Sequence, residues 1–185
     1  SGAYGTEYLD NLYYFQNNGS PENWDYEMIT SRLLPGLDFI SGSQPVVKYD
    51  CSTGLTNLWI GTEQDSANPN WNGSLFNFIF LGGNINPELY TNGNPWFTNI
   101  GSNLSPALFD LNSDGTIDLV IGESNGTIYK INQVNYYPEQ CDFLDEESDY
   151  LSIDLSGRST PSFGDVDQDG DGDLVVGDKN GIVHI

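Results

Sequence analysis

Nine residues carry five aspartates: Asp165-Val166-Asp167-Gln168-Asp169-Gly170-Asp171-Gly172-Asp173. Counting Asp165 as position 1, side-chain carboxylates stand at positions 1, 3, 5 and 9, and Asp171 at position 7 can add a backbone carbonyl. Gly170 at position 6 permits the sharp turn such a loop needs. Carboxylates this close repel one another unless a cation neutralises them. Calcium takes roughly six to eight oxygen ligands in flexible geometry and suits this spacing. The expected chemistry is hard-cation binding, with Ca2+ as the cofactor.

The loop has a counterpart 55 residues earlier. Asp110, Asn112, Asp114 and Asp118 fill the same four positions, with Gly115 at position 6 and Thr116 at position 7. With one carboxylate fewer, this loop is expected to bind more weakly. An EF-hand would need a bidentate Glu at position 12 and flanking helices. Position 12 is Ile121 or Val176, each inside an apolar run, which excludes an EF-hand. A plain Asp-Gly turn would explain one such loop, but two copies at matched register argue against it.

Apolar strands must hold the loops. Ser105–Phe109 and Thr160–Gly164 precede them; Leu119–Gly122 and Leu174–Gly177 follow. A third, degenerate copy lies upstream, with Gln44–Tyr49 before the loop and Asn57–Gly61 after it. Its loop, Asp50-Cys51-Ser52-Thr53-Gly54-Leu55-Thr56-Asn57, is one residue shorter and keeps a single carboxylate, so no calcium is expected there. The strand-ending glycines, Gly61, Gly122 and Gly177, are 61 and 55 residues apart. After the last two come Asn125-Gly126 and Asn180-Gly181, a tight-hairpin signal because both residue types tolerate positive φ. A third strand follows each hairpin. Residues 133–147 read as a long acidic loop leading to Tyr150-Leu151-Ser152-Ile153.

The expected fold is all-β: four-stranded antiparallel units of the β-propeller type. Gly5-Thr6-Glu7 mirrors Gly61-Thr62-Glu63, and Asn11–Asn17 mirrors the third strand. The expected divisions are the second half of a blade over 1–40, a degenerate blade over 41–103, a calcium-loop blade over 104–157 and the first half of another over 158–185. That is about three blade-equivalents, and propellers typically need at least four. The sheet array is therefore expected to be open, or part of a larger propeller.

The net charge is −22, with only 5 Lys and Arg, which makes nucleic acid and anionic membrane surfaces poor partners. No apolar run approaches the roughly 18 residues that would cross a bilayer. Cys51 and Cys141 are the only cysteines, either a disulfide or two separate thiols. Four N-glycosylation sequons begin at Asn18, Asn72, Asn103 and Asn125. Sequons and paired cysteines point to a secreted, extracellular or cell-surface protein.

Phe163-Gly164, the acidic loop and Leu174–Gly177 resemble the FG-GAP/VCBS repeat family, whose blades also build the propellers of integrin α subunits. The second loop has Leu108-Phe109 where Phe-Gly is usual. Tyr14–Ser20 also looks like the third-strand motif of that family. The resemblance is strong over 104–131 and 158–185 and weak over 20–100. It implies a calcium-stabilised, usually extracellular β-propeller serving adhesion, carbohydrate binding or scaffolding, sometimes appended to an enzyme.

Catalysis is not expected. His184, the only histidine, sits in a strand-like run, and no nucleophile motif, phosphate loop or zinc cluster occurs. The leading expectation is a structural or adhesive module. Its expected partners are other copies of itself or the rest of a longer propeller, besides glycans or cell-surface proteins. If the chain is complete, the segment 158–185 is expected to pair with 11–30 of another copy, giving a ring or a filament. The alternatives are a lectin-like domain, with Trp24, Trp71 and Trp96 in loop-like segments as sugar platforms, and a non-catalytic propeller segment of a larger secreted enzyme.

Overall fold

In the computed structural model, the residues described are 12–30, 43–50, 55–63, 73–81, 97–98, 101–131, 146–147, 150–153 and 155–185. Their apolar runs are short, rich in β-branched and aromatic residues, and cut by Gly, Asn and Asp, so they form strands and turns. The hairpin of β1 (Tyr14–Asn17) and β2 (Tyr26–Thr30) comes first. Next is a sheet of β3 (Gln44–Asp50), β4 (Leu55–Gly61), β5 (Ser74–Leu81) and β6 (Phe97–Thr98). A second sheet holds β7 (Ser105–Phe109), β8 (Asp118–Gly122), β9 (Ile128–Ile131) and β10 (Glu146–Glu147). The third holds β11 (Thr160–Gly164), β12 (Asp173–Gly177) and β13 (Val183–His184). Every sheet is an antiparallel meander in chain order, and none closes on itself. The protein is all-β, with sheets like open propeller blades.

Period-2 alternation decides where the core lies. In β4, Leu58 and Ile60 point to one side and pack with Phe76, Phe78 and Leu12, which lies just before β1. Trp59 points to the other side and packs with Leu75, Leu104, Leu119, Ile121 and Ile131, between the first and second sheets. In β8, Leu119 and Ile121 face that cluster, while Val120 faces a further one with Ile128, Leu155 and Val176. The second sheet is thus covered on both faces, and every residue of β8 is buried. Each such apolar side chain contributes about 1.5–3 kcal/mol.

Glycines set the spacing between sheets. A methyl group on Gly61 would lie 1.9 Å from the carbonyl oxygen of Leu104, and one on Gly122 would lie 2.3 Å from that of Ser159. Main-chain bonds close the same joints: Leu104 N–H donates to Thr62 O (3.2 Å) and Ser159 N–H to Glu123 O (2.9 Å). At an offset of 55, Ser124 N–H donates to Ser102 O and Lys179 N–H to Gly157 O.

Two local expectations need correction. Glu146 and Glu147 lie within the segment read as an acidic loop, yet they pair with Ile131 and Lys130 as β10, and Tyr150–Ser152 is a 3₁₀ turn. In the hairpins only the glycine takes positive φ, 95° at Gly126 and 78° at Gly181, and Asn125 and Asn180 do not. Gly126 N–H donates to Glu123 O, and Gly181 N–H to Asp178 O. These are type I turns closed by a left-handed glycine, which leaves the asparagine an ordinary turn residue.

Candidate metal centre

The acidic loops span two antiparallel strands. In the third sheet Gly164 pairs with Asp173, so Asp165–Gly172 bridges β11 and β12; in the second, Phe109 pairs with Asp118 and Asp110–Ile117 bridges β7 and β8. In the first sheet the ladder runs on to the pair Asp50–Leu55. Asn57 occupies the place of Asp118 and Asp173 there and is buried.

Both loops fold on their own carboxylates in the same way. The position-9 carboxylate accepts the position-2 N–H: Val166 to Asp173 at 2.8 Å, Leu111 to Asp118 at 3.1 Å. The position-1 carboxylate accepts the position-6 N–H: Gly170 to Asp165 at 3.2 Å, Gly115 to Asp110 at 2.9 Å. Asp169 N–H donates to Asp167 and Asp171 N–H to Asp169, as Asp114 N–H does to Asn112 and Thr116 N–H to Asp114. Positive φ also recurs, at Ser113 and Gln168 (57° and 66°) and at Gly115 and Gly170 (87° and 98°).

The arrangement turns carboxylate oxygens toward a common point. Asp165, Asp167 and Asp173 each offer an oxygen, and all three lie within 4.8 Å of one another. Among the described residues this is the only such group of acidic, His or Cys side chains. Three hard oxygen donors at this separation fit a hard cation such as calcium. Asp169 and Asp171 lie outside the triad. The Asp171 carboxyl is held above the usual carboxylate range, first by the charge of Asp169, then by its hydrogen bond to Asp169, with burial, Asp173 and Asp167 adding. In the second loop Asn112 Nδ2 donates to Asp114 Oδ2, and the Thr116 hydroxyl donates to Asp114 Oδ1.

No family model, curated protein or solved structure matches this chain.

An aromatic pair links the loops. Phe109, just before Asp110, stacks on Phe163 with centroids 5.0 Å apart and planes at 18°. A methyl group on Gly172 would lie 2.0 Å from Phe109 Cζ, so only glycine fits under the ring.

The other candidate positions scatter. Asn18 and Asn125 are exposed in turns, and Asn103 is half-buried with φ of 55°. Asn72, Cys51, Cys141, Trp71 and Trp96 lie outside the described residues. Trp24 is 71% exposed, donates Nε1–H to Pro21 O and meets Tyr26 edge-on. His184 Nε2 lies 3.4 Å from Asp178 Oδ2. Asp178 also accepts the N–H groups of Ile182 and Asn180, and these bonds, that of Ile182 foremost, hold its carboxyl below the usual range.

Two residues at the joint were not singled out from sequence. Ser159 is fully buried; its hydroxyl accepts Glu123 N–H and donates to Thr127 O, each at 2.9 Å. Glu123 is also buried, with Oε2 accepting the Ser124 hydroxyl and Oε1 lacking a partner. The available signal was position: Glu123 follows a strand-ending glycine, and Ser159 stands 55 residues after Leu104.

Proposed function

We propose that this chain is an extracellular structural or adhesive module of FG-GAP-like blades, stabilised by calcium in the acidic loops. The convergence of Asp165, Asp167 and Asp173 carries the reading. Matched hydrogen bonding in the Asp110–Asp118 loop supports a second, weaker site. In this reading Asp165, Asp167 and Asp173 supply carboxylate oxygens, and calcium offsets their mutual repulsion. The loops then clamp the ends of neighbouring strands. Exposure of the sequon residues Asn18 and Asn125 suits a secreted glycoprotein.

Calorimetric titration of EDTA-stripped protein tests the metal. Extracellular calcium modules bind at ~10⁻⁴–10⁻³ M. At about 100 times Kd, binding adds about 2.7 kcal/mol. For a chain of this size that corresponds to a rise in Tm of roughly 5–10 °C. Neither heat nor a Tm change at 10 mM calcium, about 100 times the tighter end of that range, would sink the metal assignment.

The exposed Trp24–Tyr26 pair favours a second reading, a lectin-like domain that stacks sugars on the first hairpin. Glycan-array binding abolished by Trp24→Ala would support it. An array without specific signal would remove it.

A further inference from the structure

The same register position has two fates in this molecule. The residue paired with the strand-ending glycine is Leu75 opposite Gly61, Ile128 opposite Gly122 and Val183 opposite Gly177. Leu75 and Ile128 are 0% and 1% exposed, while Val183 is 62% exposed. The glycines differ likewise. Gly61 and Gly122 each receive a carbonyl from the linker to the next sheet, and a methyl group on Gly177 would meet nothing within 4 Å. Ile185, beyond β13, is 79% exposed. The outward face of the third sheet therefore has the form of the two buried joints without their cover.

Those joints define what fits. The covering element is a first strand with a proline at its second residue, entered by a linker whose carbonyl fills the glycine gap. Pro106 and Pro161 play that part and are buried. The first sheet carries the same element: Ser43 stands where Leu104 and Ser159 stand, and β3 continues with Gln44-Pro45-Val46-Val47. Pro45 is exposed, and Val47 is 62% exposed. Leu12 covers Leu58, Ile60, Phe76 and Phe78 on that side and leaves the β3 edge open.

We propose that a second copy of this chain docks on the outward face of the third sheet, with its Ser43–Val47 segment against Gly177, Val183 and Ile185. The contact continues the packing of the two internal joints, so the occupant is a sheet of the same kind. It is face packing, distinct from the edge pairing of 11–30 expected from sequence. Different surfaces meet on the two copies, which makes the contact head-to-tail. A charge of −22 on each copy opposes association, so added salt strengthens it.

Sedimentation of dilution series in 0.5 M NaCl, with and without calcium, reads the association. Wild-type chain is expected to associate by about 100 µM. Gly177→Val fills the gap and should abolish association with the Tm of dilute protein unchanged. A benzophenone amino acid at position 183 should cross-link between copies, to a peptide containing Pro45. Wild type that stays monomeric, equal association of Gly177→Val, or cross-links to the first hairpin would each overturn the proposal. No residue of this contact belongs to the carboxylate triad, so a failed calcium titration leaves the result interpretable.

Discussion

The sharpest internal comparison is one substitution at two equivalent places. Gly122→Ala puts a methyl group 2.3 Å from the Ser159 carbonyl oxygen and 2.7 Å from Pro161 Cδ. Main chain and a proline ring cannot rotate away, so the third sheet must shift. Overpacking of this kind costs about 1–3 kcal/mol. The shift also strains the bond from Ser159 N–H to Glu123 O, worth about 0.5–1.5 kcal/mol. The total is roughly 2–4 kcal/mol of destabilisation. Gly177→Ala meets nothing within 4 Å and does not occupy a positive-φ position. Stiffening the unfolded chain then adds about 0.4–1 kcal/mol of stability. The two variants should therefore differ by about 2.5–5 kcal/mol. Urea unfolding of dilute protein, followed by circular dichroism and extrapolated linearly, measures this. Gly61→Ala should behave like Gly122→Ala. Equal effects at 122 and 177, or a Gly122→Ala cost below about 1 kcal/mol, would refute the idea that these glycines space the sheets.

At saturating calcium, Asp165→Ala should lower Tm more than Asp110→Ala, because the third loop has the fuller ligand set; differential scanning calorimetry checks the ranking, and equal losses would contradict it. Ser159→Ala should cost about 1–3 kcal/mol in urea unfolding, since it strips a buried N–H and a buried carbonyl of their shared partner. The Asp178 carboxyl has a depressed pKa, so its contribution is present above the ordinary carboxylate value near 3.8 and lost as pH falls through the lower folded value. Asp178→Ala should therefore flatten the acid limb of the stability curve below about pH 4, and an unchanged limb would remove this role.

The acidic loops were legible because their content is local. Asp and Gly at fixed spacing dictate the turn, and the turn's own N–H groups need the carboxylates at positions 1, 3 and 9. Strand positions were legible for a similar reason: alternation and the terminal glycine both lie within a few residues. The convergence of only Asp165, Asp167 and Asp173 depends on where the chain bends, and the spacing alone treated Asp169 as their equal. Glu146 and Glu147 looked like loop because charge dominates that stretch, yet pairing with Ile131 and Lys130 makes them an edge strand. Burial of Glu123 and Ser159 comes from a neighbouring sheet, which no local pattern encodes.

The joints between sheets are made of main chain. Leu104 and Ser159 share no side-chain chemistry, yet each sends its N–H and its carbonyl to the same places on the preceding sheet. The length of the connection matters as little: Leu75 follows Gly61 by 14 residues and Ile128 follows Gly122 by 6, and both meet their glycine in the same register. A sheet of this protein is accordingly a cassette with standard couplings. An engineer who keeps the strand-ending glycine and the linker backbone should be free to lengthen the outer loops, exchange their residues, or splice in another sheet without redesigning its neighbours.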